Sequence, residues 1–227
     1  MKTVGILGGM GPEATVLLLQ KLLAAVNAKD DADHIPLIVH QNPAVPSRIK
    51  RLVDGRGDDP APVLAQMAQD LAAAGAQALA MPCNTAHAYA PQIIAATTLP
   101  FLDMRTASLT HLRAILPPGA RVGMLASPAV RLAQVFDVPF ASSGLSQVYL
   151  ADDTGLLALI RRVKTGDTGP EAQGAMADIA RTLAAQSDHL LIACSELSLL
   201  TSVLRGMAWT DTLDCLTDGI VRFAKSA

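Results

Sequence analysis

Thr3-Val4-Gly5-Ile6-Leu7-Gly8-Gly9 and Arg121-Val122-Gly123-Met124-Leu125-Ala126-Ser127 are two versions of one string, set 118 positions apart as Val4 against Val122. Each is a short apolar run that ends in small residues, as a buried strand does where it enters a tight turn. Working outward from the first copy, the turn Gly8-Gly9-Met10-Gly11-Pro12 leads into a helix from about Glu13 to Ala28, with leucines 18, 19, 22 and 23 on one face. Ile35–Val39 reads as a second strand and Asn42–Arg48 as a proline-broken loop. Pro62–Ala74 is an amphipathic helix closed by Gly75, and Ala76–Met81 is a third strand that runs into Pro82-Cys83-Asn84-Thr85. Around the second copy the plan returns. Gly155–Lys164 and Pro170–Ala185 read as helices, and the strand His189–Ala193 ends at Cys194-Ser195-Glu196. Cys83 and Cys194 stand 111 positions apart, close to the offset of the opening strands. Strands alternating with helices predict an α/β fold with parallel-type sheets, here as a duplicated unit. The first domain is expected over 1–100 plus 208–227 and the second over 101–207, with the last helix, Thr212–Ala224, packing back on the first half.

Composition supports that class and excludes others. At 227 residues the chain has room for one large or two modest domains of about 100–200 residues. It is 51% hydrophobic but 3% aromatic, so Ala, Leu and Val must fill the core. A net charge of −2, from 18 basic and 20 acidic residues without long runs, offers no basic stripe for nucleic acid. Mean hydropathy is positive, yet Gly, Pro, Asp or Gln interrupts every apolar stretch before the ~18 residues a membrane span needs. The apolar start stops at Gly8-Gly9, which fits a first strand rather than a signal segment, so a cytoplasmic location is expected. Cysteines at 83, 194 and 215 are too far apart for a disulfide framework or a zinc cluster, and no metal is expected.

Ligands of parallel sheets sit outside the carboxyl ends of the strands. Gly8–Pro12, Pro82–Thr85, Ser127–Pro128 and Cys194–Glu196 therefore become the candidate site. Two cysteines at matching strand ends of facing halves can meet across one cleft. Such a pair suits inversion of a carbon centre, because one group removes a proton from one face while the other returns one to the opposite face. Thiols suit the task because their pKa, about 8.5 when free, falls near a helix start, which each cysteine is expected to precede. Asn84, Thr85 and Ser195 supply short donors for a carboxylate and for the charge that develops on deprotonation. Cys215, alone on an amphipathic helix, reads as a small buried hydrophobe. His87, four residues after Cys83, is either a tuner of that thiol or a helix histidine; Glu196 either orients a substrate amine or caps the next helix.

The strings Val4–Pro12, Met81-Pro82-Cys83-Asn84-Thr85-Ala86-His87 and Ala193-Cys194-Ser195-Glu196-Leu197 resemble the aspartate/glutamate racemase family, in the right order and over nearly the whole chain. The resemblance implies two α/β domains related by pseudo-twofold symmetry and racemisation of an acidic amino acid, with aspartate racemase the nearest relative. It also implies catalysis by Cys83 and Cys194 without pyridoxal phosphate or any other cofactor, in a homodimer. By the same resemblance Met10 lines the substrate pocket, Asn84, Thr85 and Ser195 hold the α-amino and α-carboxylate groups, Ser127 is a further substrate-binding residue, and Arg48 and Lys164 form a cationic pair around the side-chain carboxylate. A dianionic substrate needs such cations, and an arginine fork suits a carboxylate. The chain departs from the family pattern with Ala-Cys-Ser-Glu for Gly-Cys-Thr-Glu, with Ser127 for threonine, and in Pro128–Ser146. That last stretch is short and reworked, and it is expected to border the pocket.

Rival readings remain open on sequence alone. A relative with the same cysteine pair could isomerise maleate or racemise hydantoins, one thiol then adding to the substrate. Gly9-Met10-Gly11-Pro12-Glu13-Ala14 loosely fits a dinucleotide fingerprint with Asp30 or Asp31 as the ribose acid, although Pro12 removes a phosphate-binding donor. A non-enzymatic module for acidic amino acids would share the fold plan but gives no reason for thiols on both halves.

Overall fold

The computed structural model describes residues 1–226. Among them the strands are β1 (Val4–Gly8), β2 (Leu37–Gln41), β3 (Ala78–Ala80), β4 (Phe101–Leu102), β5 (Arg121–Ala126), β6 (Ser146–Val148), β7 (His189–Ala193) and β8 (Trp209–Asp211). The helices are α1 (Pro12–Ala25), α2 (Arg48–Leu52), α3 (Ala61–Ala73), α4 (Ala90–Ala95), α5 (Met104–Ile115), α6 (Pro128–Leu132), α7 (Asp137–Ala141), α8 (Thr154–Val163), α9 (Pro170–Ala184) and α10 (Thr212–Lys225). The strands form two four-stranded sheets, ordered β2-β1-β3-β4 and β6-β5-β7-β8, with every pairing parallel. The second order repeats the first, one half-chain later. The fold is thus α/β with two similar parallel sheets, as the repeated strings predict. Among the described residues no helix is long and apolar enough to cross a membrane.

Strands buried on both faces explain the unbroken apolar runs at Val4–Leu7 and Leu190–Ala193. Alternate side chains then serve different layers. In the first half Val4 and Ile6 meet Leu18 and Leu22 of α1 and Leu213, Leu216 and Ile220 of α10. Leu7 and Leu79 face Leu64, Met67 and Leu71 of α3. In the second half Leu190 and Ile192 meet α8 and α9, whereas Val122, Met124 and Leu191 meet Leu109 and Leu112 of α5 and Phe136 and Phe140 around α7. Gly5 and Gly123 hold the same place in β1 and β5 for the same reason. A Cβ at Gly5 would stand 2.9 Å from Ala76 Cβ and 3.2 Å from Leu71 Cβ; one at Gly123 would stand 2.8 Å from Leu183 Cγ. The helix over each central strand approaches too closely for any side chain. The strands β4 and β8 lie at 101–102 and 209–211, just across the limits of 100 and 208 taken from sequence, with β4 in the first sheet and β8 in the second.

Candidate active site

A cavity of about 410 Å³ opens where the carboxyl ends of β1, β3, β5 and β7 converge, and both halves line it. The first half contributes the turn after β1, the loop into α2, and Cys83 with Thr85 after β3. The second contributes Ser127, residues of α8 with Lys164 just beyond it, and Cys194 with Glu196 after β7. Parallel pairing leaves the carboxyl ends of all four strands on one side of their sheets, which is what brings distant loops to one cleft.

The turn after β1 is folded tightly enough to need glycine. Gly9 has φ +94°, and a Cβ there would sit 2.4 Å from the Asn42 carbonyl carbon. Its N–H donates to Thr15 Oγ1 at 3.0 Å, and the turn sets Met10, buried, on the cavity wall. Ser47 caps α2 by accepting from the Lys50 N–H at 3.3 Å, which sets Arg48 at the helix start. Arg48 Nη1 donates to the carbonyls of Val45 (3.2 Å) and Pro46 (2.9 Å), while its buried Nε has no partner among the described residues. The guanidinium is held in place with donors to spare. Behind Cys83 the buried His87 sets Nδ1 2.8 Å from the Cys83 carbonyl. Burial lowers His87 to a pKa of about 4 against the attraction of Asp103, so the ring is neutral and its N–H donates to that carbonyl. His87 therefore holds the loop and does not contact the sulfur through this bond.

Across the cleft, Glu196 joins the two chemical groups of the second half. Cys194 Sγ donates to Glu196 Oε2 at 3.1 Å, and Glu196 Oε1 accepts from Lys164 Nζ. Burial drives the Cys194 thiol well above its ordinary range, and the Glu196 charge adds to the rise more than Lys164 relieves it. Cys194 is accordingly a protonated thiol at neutral pH. Lys164 feels an opposite balance: burial pulls its ammonium down, but the charge and hydrogen bond of Glu196 act against that and the net shift is upward, so it stays charged. Ser127 caps α6 by accepting from the Ala129 N–H at 3.3 Å while also lining the cavity.

The model of a family described as Asp/Glu/Hydantoin racemase matches residues 7–218. The chain belongs to that family. This makes it an amino-acid racemase, an isomerase. The broad specificity amino-acid racemase RacX of Bacillus subtilis (strain 168) is 22% identical over 224 residues, 96% of each chain. The aspartate racemase of Picrophilus torridus superposes with a TM-score of 0.88 at 25% identity, covering 99% of this chain and 94% of its own. The glutamate racemase of Francisella tularensis subsp. tularensis SCHU S4, in complex with D-glutamate, shares the fold at a TM-score of 0.65 and 13% identity, covering 98% of this chain and 80% of its own.

In this racemase Cys83, Cys194, Met10, Arg48, Thr85, Ser127 and Lys164 all line the one cavity. Asn84 and Ser195 do not. Both are buried in the seam between the halves, where Asn84 Nδ2 donates to Thr212 Oγ1 and Ser195 Oγ to the Pro82 carbonyl. No residue of Pro128–Ser146 lines the cavity; α6 packs against α2 and the turn after Cys83 beside it, and α7 packs on α5. The expected helix starts after the cysteines are 3₁₀ turns, at Thr85–Tyr89 and Leu197–Val203, and burial prevails at Cys194 where a lowered pKa was expected. Asp30 caps the turn at Asp31–Asp33, away from the cavity. Sequence reasoning missed Glu13, Ile49, Lys50, Asp54, Ile160 and Arg161, which also line the cavity. Arg161 Nη2 lies 3.6 Å from Asp54 Oδ1, an ion pair between the halves at the mouth. One signal was available: Arg161 stands one helical turn before Lys164, on the same face.

Proposed function

We propose that the racemase interconverts L- and D-aspartate, or a related acidic amino acid, by two-base proton exchange at Cα between Cys83 and Cys194. What carries the reading is a pair of thiols, one from each half, lining one cavity together with two cations, Arg48 and Lys164. Cys194 begins as the acid, its proton resting toward Glu196, so the first abstraction falls to Cys83. Cys83 takes the α-proton from one face, and Cys194 gives its proton to the other. That turnover leaves Cys83 protonated and Cys194 as the thiolate, the form from which the opposite enantiomer runs the same steps backwards. Arg48, with a buried free donor, and Lys164 receive the side-chain carboxylate, and that carboxylate competes with Glu196 for Lys164. Thr85 and Ser127 line the space where the α-carboxylate and the enolate-like charge would lie. The protein is further proposed to be a cytoplasmic homodimer that needs no cofactor.

One observation favours a wider substrate range. About 410 Å³ is more room than aspartate fills, and the relative RacX is named for broad specificity. Both versions are tested by incubating the enzyme with single enantiomers of aspartate, glutamate and neutral amino acids in D₂O. Deuterium should enter Cα together with the opposite enantiomer, fastest for an acidic side chain. Cys83→Ser and Cys194→Ser should each lose turnover by about 10²-fold or more. If neither aspartate nor glutamate exchanges its α-proton, the acidic substrate is wrong; if both serine variants keep full turnover, the two thiols are wrong.

A further inference from the structure

Each cysteine is bracketed by hydrogen bonds that cross between the halves, and none of the residues making them lines the cavity. Ser195, the residue after Cys194, donates through Oγ to the carbonyl of Pro82, the residue before Cys83, at 2.8 Å. Asn84, the residue after Cys83, donates through Nδ2 to Thr212 Oγ1 at 2.9 Å. Thr212 Oγ1 in turn donates to the carbonyl of Ile192, two residues before Cys194, also at 2.9 Å. Asn84, Ser195 and Thr212 are 2%, 1% and 0% exposed, so water does not compete for these bonds. A hydroxyl has one proton. With theirs given to main-chain carbonyls, Ser195 and Thr212 have none left for a substrate carboxylate.

Two-base inversion demands an acid and a base on opposite faces of a single carbon, so the reaction itself fixes how far apart the sulfurs must be. Apolar contacts between the halves are non-directional, and the Arg161–Asp54 ion pair that also joins them is partly exposed to water. Hydrogen bonds are directional, and these lie within two residues of both thiols. We propose that Ser195 and Thr212, acting through Pro82 and Asn84, are positioning residues that set the separation of Cys83 and Cys194 across the cleft. The proposal rests on the two-thiol reading above.

The test compares Ser195→Ala, Thr212→Val and their double variant with the hydroxyl-keeping Ser195→Thr and Thr212→Ser. The first readout is chemical and needs no turnover. A series of dibromo alkylating reagents of increasing span is applied to the resting enzyme, and Cys83–Cys194 crosslinked peptides are quantified by mass spectrometry. The wild type and the hydroxyl-keeping variants should crosslink within a narrow range of span. The alanine, valine and double variants should spread across the series. The second readout is steady-state kinetics, where lost alignment should lower kcat by roughly tenfold to a hundredfold while KM stays within about threefold. An unchanged crosslink profile in Ser195→Ala and Thr212→Val overturns the proposal. So does a Ser195→Thr or Thr212→Ser variant as impaired as its apolar counterpart, because bulk and not the hydroxyl would then matter. If the double variant does not fold, the single variants decide by the same criteria. A wild type with no racemase activity sinks the functional reading, while the crosslink profile still decides the tether.

Discussion

At His87 and Asp211 burial acts on protonation in opposite senses. It lowers the pKa of the enclosed imidazole to about 4, prevailing over the charge of Asp103. It raises Asp211 to about 6, with Asp214 adding and the Leu213 N–H, Lys21 and Ser198 opposing. The linkage signs follow. As pH falls below 6.5 the unfolded chain takes up a proton at His87 before the folded one can, so the stability from neutral His87, present above that pH, is lost toward pH 4. For Asp211 the cost of an ionised buried carboxylate is absent below the ordinary value of 3.8 and complete above about pH 6. Each shift is a little over two units, on the order of 3 kcal/mol, so across the shared acid window the two largely offset. Asp211→Asn keeps the acceptor that caps α10 and removes the charge. It should be more stable than wild type at pH 7.5 by about 1–3 kcal/mol, nearly equal near pH 4, and steeper in its acid loss, where His87 then acts alone. Urea unfolding at the two pH values measures this, and an equal effect at both would contradict it.

At the level of elements, the repeat rests on Gly5 and Gly123. A methyl group at either must displace packed side chains of the helix side of the sheet, so Gly5→Ala and Gly123→Ala should each cost about 1–3 kcal/mol by urea unfolding. Because both lie in mid-strand, away from the cavity, the folded fraction should keep its turnover. The same two strings made the fold legible, since β1, β3, β5 and β7 are continuous apolar runs and α1, α3, α8, α9 and α10 carry long one-sided patterns. Strands β4, β6 and β8 span two or three residues, too few to display a period of two. The short helices α2, α4, α6 and α7 are hidden for a related reason: at five or six residues they complete barely more than one turn. Within the site, Cys83 and Cys194 could be read from matching strand ends, but Arg48 and Lys164 needed the resemblance. Asn84 and Ser195 stand beside the thiols, and their hydrogen bonds run into the seam between the halves. Adjacency in sequence fixes where a residue is, whereas the direction of its side chain in a tight turn depends on the opposite half. Glu13 and Asp54 carry no local motif, and only tertiary packing brings them to the cavity.

For the whole molecule, the decisive feature is that the chain passes between the halves twice. Helix α5 begins with Met104 in the core of the first sheet and continues with Leu109 and Leu112 in the core of the second. Helix α10 follows β8 of the second sheet yet buries Leu213, Leu216 and Ile220 against β1 and α1. Lys2 N–H even donates to the Ala224 carbonyl at 2.9 Å, tying the two chain ends. Removing three such side chains forfeits about 2–5 kcal/mol apiece, as much as the entire stability of a typical domain. A chain stopped after Asp211 should therefore lose its cooperative thermal transition and bind a hydrophobic dye. A folded, active 1–211 product would show that α10 is dispensable.

The exchange of α10 also makes the protein divisible in an unusual way. Between α5 and β5 the residues Pro117, Pro118 and Gly119 are exposed, and no strand or helix runs through them. Two polypeptides made separately on either side of that joint would be unequal partners. The first would lack the helix that closes its own sheet, and the second would carry that helix with nowhere to dock it. Neither piece could mature alone, and their pairing would assemble the thiols of both in the same act. Such a split gene would behave as a complementation pair, with racemisation as the report that the two products had found each other.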